Sequence, residues 1–279
     1  MIERITIASD ELVVEIAPLG AALASVRPVE HGAPGPNLVL APGPAGDGAY
    51  RGVIAGRFAN RIGRARFELD GSTVMLDAND GVHCLHGGPE GFGARRWKLI
   101  DGRDDWVSLA LHSPAGDQGF PGAVDATATY RVRAACIEVE LAATSDAPTV
   151  VSLTNHAYWN LAGAGAPTVL EHELRIDADA FTAVDDELIP TGELTAVRGT
   201  PFDFTTPRAI GDRIGELLGT PSRGYDHDFV LRANRAPEAA VAELRDPASG
   251  RWMRITTSEP GLQLYTGNHL RGQRGKAGR

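Results

Sequence analysis

Short runs in which apolar and polar residues alternate dominate this chain. Leu12 to Ile16 contains the alternation Val14-Glu15-Ile16, and Leu19 to Arg27 continues as a second apolar run. A two-residue period puts successive side chains on opposite faces of a sheet, so residues 4–29 predict strands. Phe67 and Leu69 alternate with Arg66 and Glu68, and Asp70-Gly71 follows before Thr73 to Leu76. That pattern predicts a hairpin closed by a tight turn. Further strands are expected at Trp97–Ile100, Val107–His112, Val124–Val132, Ile137–Ala143, Leu170–Ile176, Tyr225–Leu231, Arg251–Thr257 and Leu262–Tyr265. Over residues 95–144 the spacing is that of a meander and not of strand–helix–strand units. Residues 30–50 read as a long loop and 177–206 as irregular polar connection. A helical period occurs once. Thr206 can cap, Pro207 suits a first helical turn, and Ile210, Ile214 and Leu217 share a face, which predicts a helix over 206–218. The expectation is an all-β chain, one large antiparallel β-sandwich over residues 1–279 with few short helices.

Composition sharpens this reading. Glycine (33 residues) and proline (18) together exceed their usual combined share of about 12%. Hydrophobic residues make up 43% of the 279, enough for a sizeable core. The net charge of −9 matches phosphate backbones and anionic lipid surfaces poorly, so neither nucleic acid nor membrane is an expected partner. Two cysteines, Cys84 and Cys136, imply no disulfide framework. No apolar run approaches the ~18 residues of a membrane span, and no signal peptide is visible. A cytoplasmic protein is expected.

The chemistry concentrates where one β-rich run breaks. Val150, Val151 and Leu153 lead into Asn155-His156-Ala157-Tyr158-Trp159-Asn160. A histidine at a strand end can move a proton near neutral pH. The flanking aromatics offer flat apolar faces and the amides offer donors and acceptors, a mixture that suits a sugar. The alternative is a buried histidine fixed by its neighbouring amides. Three more polar clusters stand at strand edges or glycine turns: Asn60-Arg61, His83 with His86, and Asp226-His227. His83 and His86 lack Cys-x-x-Cys or His-Glu-x-x-His spacing, so no metal is expected. Glycine motifs for phosphate or dinucleotide and a serine nucleophile elbow are absent too, and no cofactor is expected.

Five segments, in order, resemble the aldose 1-epimerase (galactose mutarotase) family: Gly56–Gly63 (GRFANRIG), Leu85–Gly88 (LHGG), Thr154–Leu161 (TNHAYWNL), Tyr225–Phe229 (YDHDF) and Pro260–Leu270 (PGLQLYTGNHL). The resemblance implies a large antiparallel sandwich and the interconversion of α and β anomers of a free aldohexose such as galactose or glucose. His156 matches the general acid for the ring oxygen, and His86 the second histidine beside that oxygen. Asn60 and Arg61 match a pair that holds sugar hydroxyls. Asp226 matches an acid that binds hydroxyls across the ring, Gln263 a glutamine near the base, and Tyr158 a residue lining the cleft. Opening the ring needs a proton delivered to the ring oxygen and one removed from the C1 hydroxyl, which an acid and a base accomplish together.

The family's base is a glutamate on a strand after Tyr265-Thr266-Gly267-Asn268. Only eleven residues follow Asn268, and none is a glutamate. The expectation is a chain short at its C-terminus relative to the family and marginally stable or partner-dependent. Glu259 is the nearest acid before the final strand and reads as a solvated turn residue. Two other readings remain: a non-catalytic carbohydrate-binding relative, and a hexose-6-phosphate 1-epimerase drawing on Arg57, Arg61 and Arg64.

Overall fold

The structure is a computed structural model and describes residues 3–41 and 50–270. Most of the basic tail and part of the 30–50 loop lie outside the described residues. Almost every regular element is a strand, and the sheet pairings are antiparallel. Two compact units are present, one formed by residues up to Trp159 and one from Asn160 onward.

In the first unit, Ile5–Ala8, Leu12–Ala17, Ala22–Glu30 and Ala33–Pro34 form one sheet in that order. Lys98–Gly102, Trp106–Ser113, Val124–Arg133 and Cys136–Ser145 form a meander in a second sheet. The expected alternation is obeyed: Val14 and Ile16 are buried and Glu15 between them is half-buried. Val124, Ala126, Ala128, Tyr130 and Val132 point inward from the second sheet and share one core with Ile7, Val14, Ile16, Leu23 and Trp97. The hairpin forms as Arg66–Leu69 and Ser72–Met75. Asp70 and Gly71 both have positive φ, at 49° and 76°, as a turn matching the twist of its strands requires.

In the second unit one sheet runs Arg208–Ala209, Glu173–Ile176, Ala242–Arg245, Trp252–Ile255. The other runs Pro190–Ala196, Ala178–Val184, Asp226–Leu231, Gly261–Tyr265. Phe181, Phe202, Phe204, Tyr225 and Phe229 fill the core of this unit.

Three expectations are corrected. The helix over 206–218 is instead the short strand Arg208–Ala209 followed by 3-10 turns at Ile210–Asp212 and Ile214–Leu217. The apolar spacing is used, since Ile210 and Leu217 are buried. However, the N–H groups of Ile210 and Gly211 donate to the carbonyls of His172 and Leu170, at 2.9 and 2.8 Å. Those donors pair with the turn that precedes Glu173–Ile176 and cannot join a helix. The polar connection at 177–206 contains two strands, Ala178–Val184 and Pro190–Ala196. Asp185 caps the turn between them by accepting from the N–H groups of Glu187 and Ile189. Its polar residues are therefore the outer face and turn of a hairpin. Finally, Val150–Leu153 does not form a strand; only Thr154–Asn155 does.

Candidate functional site

His156 owes its place to pairing on both sides. Thr154–Asn155 pairs with Ile54–Ala55. The His156 N–H donates to Val53 O and its carbonyl accepts from Gly52 N–H, both at 2.8 Å. Two residues later, Leu40 N–H donates to Tyr158 O at 3.0 Å. Asn155 braces the arrangement from below. Its amide donates to Gly52 O and to the Tyr130 hydroxyl, at 3.0 and 3.1 Å, and that hydroxyl donates to Ala21 O. Tyr130 is fully buried, so these bonds tie the histidine segment to the core.

His86 is fixed by a reciprocal pair. Its N–H donates to Asn60 O, and its ring Nδ1 accepts from Asn60 N–H, each at 3.0 Å. An Nδ1 that accepts carries no proton, so the neutral ring is a donor at Nε2. Both residues sit in the left-handed region, His86 at φ 53° and Asn60 at φ 61°. The glycine after His86 is obligatory. A Cβ on Gly87, at φ +88°, would lie 2.0 Å from Gly56 O.

These constraints bring the two imidazoles together, with centroids 5.0 Å apart and planes at 83°. Tyr50 meets His86 edge-on at 4.5 Å, and Tyr158 lies 5.1 Å from His156. Burial pushes both histidines below their ordinary pKa. For His86 the proximity of His156 and Arg61 pushes the same way, whereas for His156 a hydrogen bond to its own main chain opposes the shift. The site therefore sets two rings, whose neutral forms burial favours, between two phenols, one ring with a defined N–H donor.

Arg61 stands beside them on Arg61–Ile62, paired with Cys84–Leu85. Its Nε donates to Asp80 Oδ2 at 2.8 Å and its Nη1 to Asn60 Oδ1 at 3.4 Å. Thus His86, His156, Asn60, Arg61 and Tyr158 gather in one place in the first unit. Asp226 and Gln263 are joined to each other in the second unit, where Gln263 Nε2 donates to Asp226 Oδ1 at 2.9 Å. Asp228, on the same face, accepts from Thr182 Oγ1 at 3.0 Å, and burial raises its pKa.

Several conspicuous residues turn out to be structural. His83 is buried, and its Nδ1 accepts the N–H of Arg64. His227 packs against Phe181 and Phe202, which holds its pKa down to about 4. Arg57 is 1% exposed and donates to the carbonyls of Ser113, Pro114, Pro121 and Gly122. It is not a cleft cation, which removes one support of the sugar-phosphate reading. No cluster of three or more potential metal ligands occurs among the described residues. Nor is any helix among them long and apolar enough to cross a membrane. Tyr50 and Asp80 were not anticipated. Tyr50 ends a glycine- and proline-rich stretch with no motif of its own, and Asp80 reads as an ordinary turn acid in Asn79-Asp80-Gly81.

The model of the family described as aldose 1-epimerase matches residues 3–278. The chain is 36% identical over 285 aligned residues to a galactose mutarotase of Bos taurus, covering 99% of this chain and 81% of that protein. It is 38% identical over 270 residues to an aldose 1-epimerase of Escherichia coli, covering 94% and 77%. Among solved structures it is similar to an aldose epimerase homologue from C. elegans, with a TM-score of 0.88, 34% identity, and coverage of 99% of this chain and 85% of that one. A galactose 1-epimerase from Lactobacillus acidophilus gives a TM-score of 0.81 at 26% identity, covering 95% and 79%.

Proposed function

The chain belongs to the aldose 1-epimerase family, and from that premise we propose that it interconverts the α and β anomers of free aldohexoses such as galactose and glucose. The observation that carries the residue assignment is the edge-to-face pair His86 and His156, walled by Tyr50 and Tyr158. A pyranose presents C–H faces to aromatic rings and hydroxyls to the donors around them.

His156 is the general acid. Its imidazolium gives a proton to the ring oxygen as the C1–O bond breaks, while a base takes the C1 hydroxyl proton and the C1 carbonyl forms. Rotation about C1–C2 and closure on the other face, with the protons returned, gives the second anomer. His86 is a donor to the same oxygen or the adjoining hydroxyl, because Asn60 has committed its Nδ1 and left Nε2 protonated. Arg61 and the Asn60 side chain hold hydroxyls, and Tyr158 lines the pocket. The resemblance places that base beyond Asn268, where the eleven residues of the sequence given hold no carboxylate side chain.

Polarimetry of freshly dissolved α-D-galactose and α-D-glucose tests the assignment. The wild-type protein accelerates the approach to equilibrium, and His156→Ala lowers that acceleration by about 10²–10⁴-fold, the usual worth of a positioned proton-transfer group. Sugar binding without acceleration by the wild type would favour the non-catalytic reading.

A further inference from the structure

Three arginines stand close to the imidazole pair in sequence, and their fates differ. Arg57 spends its guanidinium on main-chain carbonyls in the interior. Arg64 has an exposed side chain on a residue with φ 54°. Arg61 alone is a half-buried guanidinium at the site, and Asp80 is bonded to it. We propose that Asp80 is a specificity-determining residue, which holds Arg61 by its Nε and balances its charge so that the site takes neutral hexoses in preference to hexose phosphates.

Geometry supports a dedicated partner over a chance surface acid. Asp80 opens a tight turn whose main chain closes on His83, with Asp80 N–H donating to His83 O and His83 N–H to Asp80 O, at 3.1 and 3.0 Å. Gly81 takes φ +60° inside that turn. Next to it, Asn79 clamps Leu85, accepting its N–H at 2.7 Å and donating to its carbonyl at 2.9 Å. Leu85 is the residue paired with Arg61. The turn that carries the acid is thus tied through Leu85 to the strand that carries the arginine. The backbone alone makes the turn, and the carboxylate is left to serve Arg61. At 40% exposure for Asp80 and 14% for Arg61, the pair is partly shielded from water.

The chemistry follows from what a guanidinium prefers. An uncompensated one binds phosphate with two parallel N–H bonds, more tightly than it binds hydroxyls. A carboxylate on its Nε edge removes much of that advantage and repels an incoming dianion, while the other N–H groups stay able to meet neutral oxygens. Discrimination by a repulsive neighbour is a general device of specific sites.

The inference rests on the reading that Arg61 faces the sugar, and calorimetry or ligand-observed NMR separates the two. D-galactose, D-galactose 6-phosphate and the corresponding glucose pair are titrated into the wild type, Asp80→Asn and Asp80→Glu. The expected result is that Asp80→Asn shifts the ratio of affinities toward the phosphate by roughly two- to fivefold, the scale of a partly exposed ion pair. Raised salt shrinks that shift, and Asp80→Glu restores the wild-type ratio. A ratio unchanged in Asp80→Asn, with free hexose still bound, overturns the role of Asp80 and leaves the proposed function standing. Failure of the wild type to bind any of the four sugars overturns both. The turn is closed by main-chain bonds and the Asp80 carboxylate is bonded to Arg61, so Asp80→Asn folds, and matching circular dichroism spectra check it.

Discussion

At the scale of single residues, the decisive facts are protonation states. His86 is neutral with its proton on Nε2, because Asn60 N–H occupies Nδ1. His156 must be charged to act as an acid, yet burial lowers its pKa below the ordinary 6.5. The direction of the consequence is fixed. A base whose pKa is lowered gives up its proton earlier as pH rises, so the acid form of the free enzyme is lost below 6.5. We expect kcat/KM for mutarotation to fall on the alkaline side with a midpoint below 6.5, and His156→Gln to remove that limb. A midpoint at or above 7 would show that another group supplies the proton.

Elements act by forcing those residues into place. The Leu85–Gly88 segment threads His86 through the left-handed region and then runs against the backbone at Gly56 and Arg57. Two glycine replacements separate strain from collision. Gly81 is at φ +60° with nothing within 4 Å of an added Cβ, so Gly81→Ala costs only the strain of the conformation, about 1–2 kcal/mol. Gly87→Ala adds to a similar strain a methyl group 2.0 Å from a carbonyl oxygen that must shift. It should lose more than about 3 kcal/mol in chemical denaturation and most of its activity, since His86 moves with the loop. Equal losses for the two variants would mean that the segment yields without disturbing the site.

Much at this scale was legible in the sequence. The runs Leu12–Ile16 and Val124–Val132 and the Asp70-Gly71 turn anticipated the strands and hairpin that form. The helix expected over 206–218 shows the limit of local pattern. Its apolar spacing was real, but two of its N–H groups were taken by carbonyls of Leu170 and His172, and nothing local indicates that competition.

For the whole molecule, the sheets must end somewhere without recruiting neighbours. Lys98–Gly102 is an edge strand, exposed along its length, with Leu99 and Ile100 at 50% and 52% exposure. A bulge between Leu99 and Asp101 and the charges of Lys98 and Asp101 blunt it. The double replacement Lys98→Val with Asp101→Val should leave the fold intact and raise self-association, seen as a concentration-dependent rise in light scattering. Unchanged scattering would show that the bulge alone protects the edge. The acidic net charge of −9 works in the same direction for the wild type.

The sequence by itself determined the strand-rich character, the faces that strands bury, and the residue types able to handle a sugar, because side-chain periodicity and turn chemistry act over a few neighbours. Only the tertiary structure decided which of those polar residues serve the site. Arg57 and His83 looked as chemical as Arg61 and His86, and went instead to main-chain groups of Ser113 and Arg64. Tyr50 and Asp80, silent in the sequence, became the neighbours of His86 and Arg61. The reason is that hydrogen-bond donors and acceptors are claimed by whatever the folded chain brings within about 3 Å, and those partners lie tens of residues away.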